Sequence, residues 1–238
     1  MTIHHQTADD YLFATSLEQL RSLGISLRTG SDFEEYRAIL AEARPDHDLG
    51  VPFEPTRHAL TEANAYWMVG YDEHGDIMHT QALKKLSLGQ LHLGDYLNKN
   101  LRSFEPSQME IDYSRTIYRP GPGAQRMKGE IAYHGEFWVG GTPGQFRGTG
   151  LSTLLGRHAF LTAMIRWQPD FFFGFMSKPL VFKGFAARFG YMHIDPGAIR
   201  YVLKDTGEGF EGIMGYMSHD DIRYMLDMAS FNQVPRAA

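Results

Sequence analysis

The chain has 238 residues, 43% hydrophobic and 21% charged, with a formal net charge of -5 and no cysteine. That length predicts one domain with an elaboration, and the acidic balance argues against general nucleic-acid binding, which needs a basic surplus. The lack of cysteine excludes disulfides, Cys-ligated zinc, iron–sulfur clusters and thiol nucleophiles, and it suits a cytoplasmic protein.

The first residues, MTIHHQTADDYLF, have no basic region followed by an apolar run, so they are not read as a secretory signal. Residues 8–22 predict an amphipathic helix and 23–28 a first strand. Ser31 stands three residues before Glu34, a capping-box pattern, and Tyr36, Ile39 and Leu40 continue at helical spacing until Pro45. Residues 45–59 carry three prolines and read as a loop. Two strands, 65–72 and 76–86, flank the turn DEHG and predict a hairpin. Residues 87–107 read as loop with a short helix, 108–118 as a strand, and RPGPGAQ as a breaker.

Residues 127–140 predict a long strand whose interior Gly135 marks a bulge or a close backbone approach. A helix follows over 150–167, with Leu151, Leu154, Leu155, His158, Leu161 and Ile165 near one face. Then come a buried strand at 171–176, a helix over 177–190 stopped by Gly190, strands at 191–204 and 209–217, and a helix at 218–230. The apolar run FFFGFM at 171–176 is far too short to span a bilayer. This order predicts a mixed α/β fold, with two parallel strands joined by a right-handed crossover within 130–176.

The stretch VGGTPGQFRGTGLSTLLGR, residues 139–157, joins a strand to a helix through a Gly-rich loop. Such a loop binds phosphate because unpaired N–H groups and the helix dipole meet at one point. The nucleotide P-loop does not fit, because the gap from Gly144 to Gly148 is wrong and no Lys follows Gly148. The dinucleotide fingerprint fits poorly, because Thr153 stands where the third Gly belongs. The pattern Q/R-x-x-G-x-G/A is met at every defined position by Gln145, Gly148 and Gly150.

On those residues, and on KGFAARFGYMHI at 183–194, the chain resembles the GNAT acyltransferase superfamily. The resemblance spans about 22–217 by topology and about 145–191 by motif. It implies a mixed sheet splayed between strands near 130–140 and 170–176 and flanked by helices. It also implies a single domain over 1–238, with a coenzyme-binding core at about 127–195 and the helices in 8–45 and 218–230 as elaborations. The implied activity is transfer of an acyl group, acetyl above all, from acyl-coenzyme A to a primary amine on a small molecule or peptide.

By the same resemblance, the pyrophosphate lies on the loop. Its candidate contacts are Gln145, Phe146, Arg147, Gly148, Thr149, Gly150, Leu151 and Ser152, with Trp138, Val139 and Gly140 along the pantetheine. Val139 N–H or a neighbour is the implied oxyanion donor. An attacking amine must lose a proton, which makes Glu136 the first candidate base and His134 the second; strand alternation places both on one face. Gly135 and the pair Gly140–Gly141 are the expected sites of the distortion that opens the slot. Many members carry a Tyr acid and an Asn, and here those positions are Ala186 and Pro179; Ser177 and Tyr191 lie nearby as substitutes. Loss of catalysis with retained binding is the alternative.

Arg157 is expected to be a surface charge. His4–His5 and Asp46-His47-Asp48 are the His-bearing clusters among eleven histidines, and neither has a ligand frame, so no metal is expected. MEIDYSR at 109–115, with Glu110, Ser114 and Arg115, is faintly similar to the acyl-homoserine-lactone and N-acyl amino acid synthases. That branch implies a long acyl donor in an apolar slot lined by residues 171–175. Net acidity favours a cationic or neutral amine, no membrane partner is expected, and a C-terminal amphipathic helix on an aromatic-rich chain is compatible with a homodimer.

Overall fold

Eight strands form one sheet in the computed structural model, which describes residues 3–142 and 144–231, with side chains for 8–142 and 144–228. The strands are β1 (Ser26–Gly30), β2 (Ala65–Tyr71), β3 (Ile77–Gly89), β4 (Ile117–Tyr118), β5 (Gly129–Val139), β6 (Phe171–Ser177), β7 (His193–Val202) and β8 (Gly209–Ser218). Their spatial order is β1-β2-β3-β5-β6-β8-β7-β4. Among these pairs β5–β6 alone is parallel, the one pair joined by a helical crossover, as expected.

Helices cover both faces, so the central strands bury side chains on both sides, with His79, Thr80, Gln81, Lys84 and His134 the polar ones among them. In β2, Ala65, Trp67 and Val69 enter one core while Tyr66 and Met68 enter the other. The first face carries α2 (Phe33–Ala43), a 3-10 turn at Val51–Phe53, α3 (Leu93–Asn100) and α4 (Pro122–Arg126). The second carries α1 (Ile3–Ser22), α5 (Leu151–Trp167), α7 (Phe185–Phe189) and α8 (His219–Phe231). Trp67 pins α2 by donating its indole N–H to the Asp32 carbonyl at 2.8 Å and stacking on Tyr36.

Several local expectations are corrected. The cap of α2 is Asp32, not Ser31; its carboxylate accepts the N–H groups of Glu34 and Glu35. The predicted strand at 108–118 survives only as β4, because the Asp112 side chain accepts the Ser114 N–H and hydroxyl and folds the chain into turns. RPGPGAQ is not only a breaker: Pro122 sits in the first turn of α4, where its missing N–H costs nothing. The helix predicted over 177–190 is two short ones, α6 (Lys178–Phe182) and α7, separated at Gly184 with φ +77°. Helix α5 is buried almost all round because α1 packs along it, yet Ile165 is exposed. No helix among the described residues is long and apolar enough to cross a membrane.

Candidate functional site: a splayed strand pair beside a Gly loop

Strands β5 and β6 pair only at Ile131–Phe171, Ala132–Phe172 and Tyr133–Phe173, and then separate. The cause lies on the other edge of β5. There Ala82 pairs with Gly135 and Thr80 with Trp138, so Glu136 and Phe137 together oppose Gln81. This is a β-bulge, which bends a strand and sharpens its twist. Its first residue is Glu136, at φ +56°. The distortion therefore falls on Glu136 and not on Gly135 or Gly140–Gly141; Gly140 still donates to Met78 O at 2.8 Å. A cleft of about 840 Å³ opens where the strands diverge.

The bulge also breaks the alternation along β5. His134 and Glu136 were expected on one face, and they lie on opposite ones. Glu136 points toward α2 and the loop after it. Its carboxylate accepts the Gly50 N–H at 3.0 Å, stands 3.2 Å from His47 Nε2 and faces the Arg44 guanidinium at 3.7 Å. His134 points toward α5 and is buried. Gln81 donates its amide N–H to Leu155 O, which turns its oxygen to His134 Nε2 at 3.1 Å. The Nε2 therefore carries the proton, and Nδ1 accepts from the Tyr191 hydroxyl at 3.2 Å. Burial lowers the His134 pKa to about 3. The ring is thus neutral with both nitrogens engaged, a poor proton acceptor beside Glu136, whose carboxylate lines the cleft.

Two side chains of β3 satisfy carbonyls at the bulge. Thr80 Oγ1 donates to Glu136 O at 3.0 Å, and His79 Nδ1 donates to Trp138 O at 2.6 Å. Hydrogen-bonded and non-bonded pairs alternate in an antiparallel ladder. Since Gly140 is bonded to Met78, Val139 opposite His79 turns its N–H away from β3 and into the gap. Trp138, Val139 and Ser152 line the cleft from this side, and Ser177 does so from the end of β6, with no side-chain cap bond of its own.

The Gly loop runs from Gly141 to Gly150 and opens α5. Gly144, Gly148 and Gly150 have φ of +90°, +78° and +75°, a region costly for residues with a Cβ, and no atom stands within 4 Å of a Cβ built on any of them. Glycine is needed here for conformation, and the space in front is open. The N–H groups of Gly148, Gly150, Ser152 and Thr153 have no acceptor among the described residues. Gln145 turns its side-chain oxygen back onto the Thr142 N–H at 3.0 Å and closes the mouth of the loop. Thr149 holds the last turn, donating to Phe146 O and accepting from Leu151 N–H, while Phe146 and Leu151 anchor the loop in a small apolar cluster. Arg147 is exposed.

Arg157 is not the surface charge expected. It is half-buried beside a second cavity of about 590 Å³ between α1 and α5, and its Nε has no partner among the described residues. Burial lowers its pKa. Among the described residues no group of three or more His, Asp or Glu is placed to hold a metal ion, and the His4–His5 side chains lie outside the described residues. Glu110 is exposed and pairs with Lys204, far from the bulge in sequence and on the β7 side of the sheet. Sequence reasoning missed Arg44, His47, His79, Thr80 and Gln81. Nothing in their spacing marks them, because they meet residues 134–138 of β5 only through the sheet and the loop after α2.

No family model matches the sequence, and no curated protein does. Among solved structures, the chain is similar to the NAA60 protein of Arabidopsis thaliana in complex with a bisubstrate analogue, at 12% identity over 82% of this chain and 97% of that one, with a TM-score of 0.47. It is also similar to a chimera of the spermidine N-acetyltransferase SpeG from Vibrio cholerae and hSSAT (12% identity, 84% and 99% covered, TM-score 0.45). A third is an acetyltransferase of the GNAT family from Streptococcus pneumoniae (10% identity, 82% and 99% covered, TM-score 0.43). The observed topology, a mixed sheet whose one parallel pair splays beside a Gly loop that opens a helix, is the arrangement the sequence resemblance implies.

Proposed function

We propose that this protein is an acyl-coenzyme A-dependent N-acyltransferase that passes an acetyl group to a primary amine by direct attack in a ternary complex. The observation that carries the reading is an open β5 edge whose cleft reaches Ser152 at the start of α5, next to the N–H groups of Gly148, Gly150, Ser152 and Thr153, which have no acceptor among the described residues. The pyrophosphate fits against the N–H groups of Gly148, Gly150 and Ser152 at the start of α5, with Arg147 adding charge. The pantetheine takes the place of β6 along Trp138, Val139 and Gly140, pairing its amides with β5 as an added strand would.

In that pose the Val139 N–H polarises the thioester carbonyl. The amine nitrogen bonds to the acyl carbon, and the carbon–sulfur bond breaks. The proton leaving nitrogen passes to Glu136, directly or through one water, and the departing thiolate takes a proton from water, with the Ser177 hydroxyl at the cleft to relay it. Arg44 and His47 hold the Glu136 carboxylate in place.

A binding module without turnover is the second reading, favoured by one feature: Ala186, where the family's acid is expected, is buried on α7 and carries no proton to give. Thermal unfolding with acetyl-coenzyme A tests both readings. Ligand at about 100 times its dissociation constant adds roughly 2.7 kcal/mol, a rise of roughly 5–10 °C for a chain of this size. No shift with acetyl-coenzyme A, a long-chain acyl-coenzyme A or free coenzyme A overturns the proposal. A shift without coenzyme A release across a broad amine panel selects the module.

A further inference from the structure

The cleft continues past Glu136 on the α2 face of the sheet, under the segment between β3 and β5. There its walls are aromatic: Phe104, Tyr133, Phe175, Tyr201 and Phe210. Phe104 meets Tyr133 edge-on at 5.0 Å and Phe175 at 6.2 Å, and Tyr201 stacks on Phe210 at 5.2 Å. The Tyr201 hydroxyl donates to Phe104 O at 3.0 Å, which ties the inserted segment to β7 and holds the chamber formed.

Charge along the cleft is one-sided. Three carboxylates line it, Glu105, Glu136 and Glu211, against one guanidinium, Arg44. Arg44 faces Glu136, and Lys178, outside the lining, pairs with Glu211 at 2.9 Å. Among the described lining residues the one guanidinium is already matched to Glu136, and Lys84, which is not among them, donates to Pro52 O at 3.2 Å. Between Glu105 or Glu211 and Glu136 the walls offer rings, not a row of carboxylates, so a chain of several ammonium groups finds no matching series. Ring faces and carboxylates together favour one cation with an apolar body.

We infer that the acceptor is an arylalkylamine, a single amine on an aromatic body with no carboxylate of its own; this rests on the N-acyltransferase reading. The body fills the chamber and the nitrogen reaches Glu136 at the gap.

The test uses the intact protein with coenzyme A present, so that binding is read without turnover, alongside coenzyme A release from acetyl-coenzyme A. The probes are 2-phenylethylamine, phenylalanine, which adds only a carboxylate, and spermidine. The inference expects added thermal stabilisation by 2-phenylethylamine over coenzyme A alone, and a dissociation constant or KM at least tenfold below those of the other two. Phe210→Ala, at a half-buried position, is expected to weaken 2-phenylethylamine about tenfold and to leave the stabilisation by acetyl-coenzyme A unchanged. Preference for phenylalanine or spermidine, binding of none of the three, or an unchanged amine affinity in Phe210→Ala each overturns it. So does a Phe210→Ala loss that appears only in the KM for decanoyl-coenzyme A, which assigns the chamber to a long acyl chain. Failure of acetyl-coenzyme A itself to stabilise the parent protein is the separate signature that the underlying reading is wrong.

Discussion

Replacing Glu136 by Gln separates chemistry from architecture. The carboxylate accepts the Gly50 N–H at 3.0 Å, stands 3.2 Å from His47 and 3.7 Å from Arg44, and its side chain is 8% exposed. Gln keeps an acceptor for Gly50 and drops the charge. Removing one partner of a fully buried pair costs about 3–5 kcal/mol. Arg44 is 17% exposed and remains partly hydrated, so the expected loss is nearer 1–2 kcal/mol, about that of one charge-assisted hydrogen bond. For a chain of this size that lowers Tm by about 2–8 °C. Loss of the proton acceptor is expected to reduce kcat by about 10²–10⁴ at saturating amine. The assay is coenzyme A release at fixed saturating acetyl-coenzyme A, with thermal stabilisation by acetyl-coenzyme A measured in parallel. A kcat within about threefold of the parent, with stabilisation retained, refutes Glu136 as the base. Loss of the stabilisation as well refutes the separation, and places Glu136 in the architecture of the bulge.

Thr80→Val removes the hydroxyl that holds Glu136 O and is expected to cost about 1 kcal/mol; it should lower kcat more than it raises the KM for the donor, and equal effects on both would contradict a positioning role. Gly148→Glu, with a carboxylate placed where phosphate binds, is expected to abolish stabilisation by acetyl-coenzyme A, whereas Gly150→Ala, at φ +75° with open space, should cost about 1 kcal/mol in unfolding experiments. Gly174→Ala drives a methyl to 2.8 Å from His134 O and 2.6 Å from the Tyr191 hydroxyl, and denaturant titration should show a loss of about 1–3 kcal/mol. His79 and His134 have pKa values lowered by burial to about 3, and His158 to about 4, all from 6.5. Below pH 6.5 the unfolded chain therefore binds protons that the folded chain refuses, so stability is full above that pH and falls on acidification toward pH 4. Three such groups set a slope of up to about 4 kcal/mol per pH unit; a melting temperature that stays flat from pH 7 to 5 would show that these rings are not buried neutral.

The fold was legible where periodicity was strong. The hairpin of β2 and β3, the parallel pair and α5 all follow from runs of apolar residues with clear punctuation. Misreadings came where local polar chemistry outweighed pattern. QMEIDYSRTIY has a strand's composition, but one Asx turn at Asp112 redirects it. Ser31 fits a capping box, and Asp32, one residue later, is the acceptor in place. Ile165 fits the helical stripe of α5, but that stripe presumes one buried side, and α1 with the sheet makes two.

At the site, the glycines were legible and the bulge residue was not. Gly148 and Gly150 announce positive φ because little else occupies it cheaply. Glu136 occupies the same region at a cost of about 1–2 kcal/mol, and nothing in GEIAYHGEFWV says so. Alternation along an unbroken strand puts His134 and Glu136 together; one extra residue sends the first into the α5 core and the second toward Arg44 and His47. The same extra residue ends the pairing of β5 with β6 and turns the Val139 N–H into the space created. Base, oxyanion donor and slot are therefore one mechanical feature in this reading, and the strain at Glu136 persists because Thr80 holds its backbone and Gly50 and Arg44 hold its carboxylate. Chemistry in this fold depends on where a strand is broken as much as on which residues it carries.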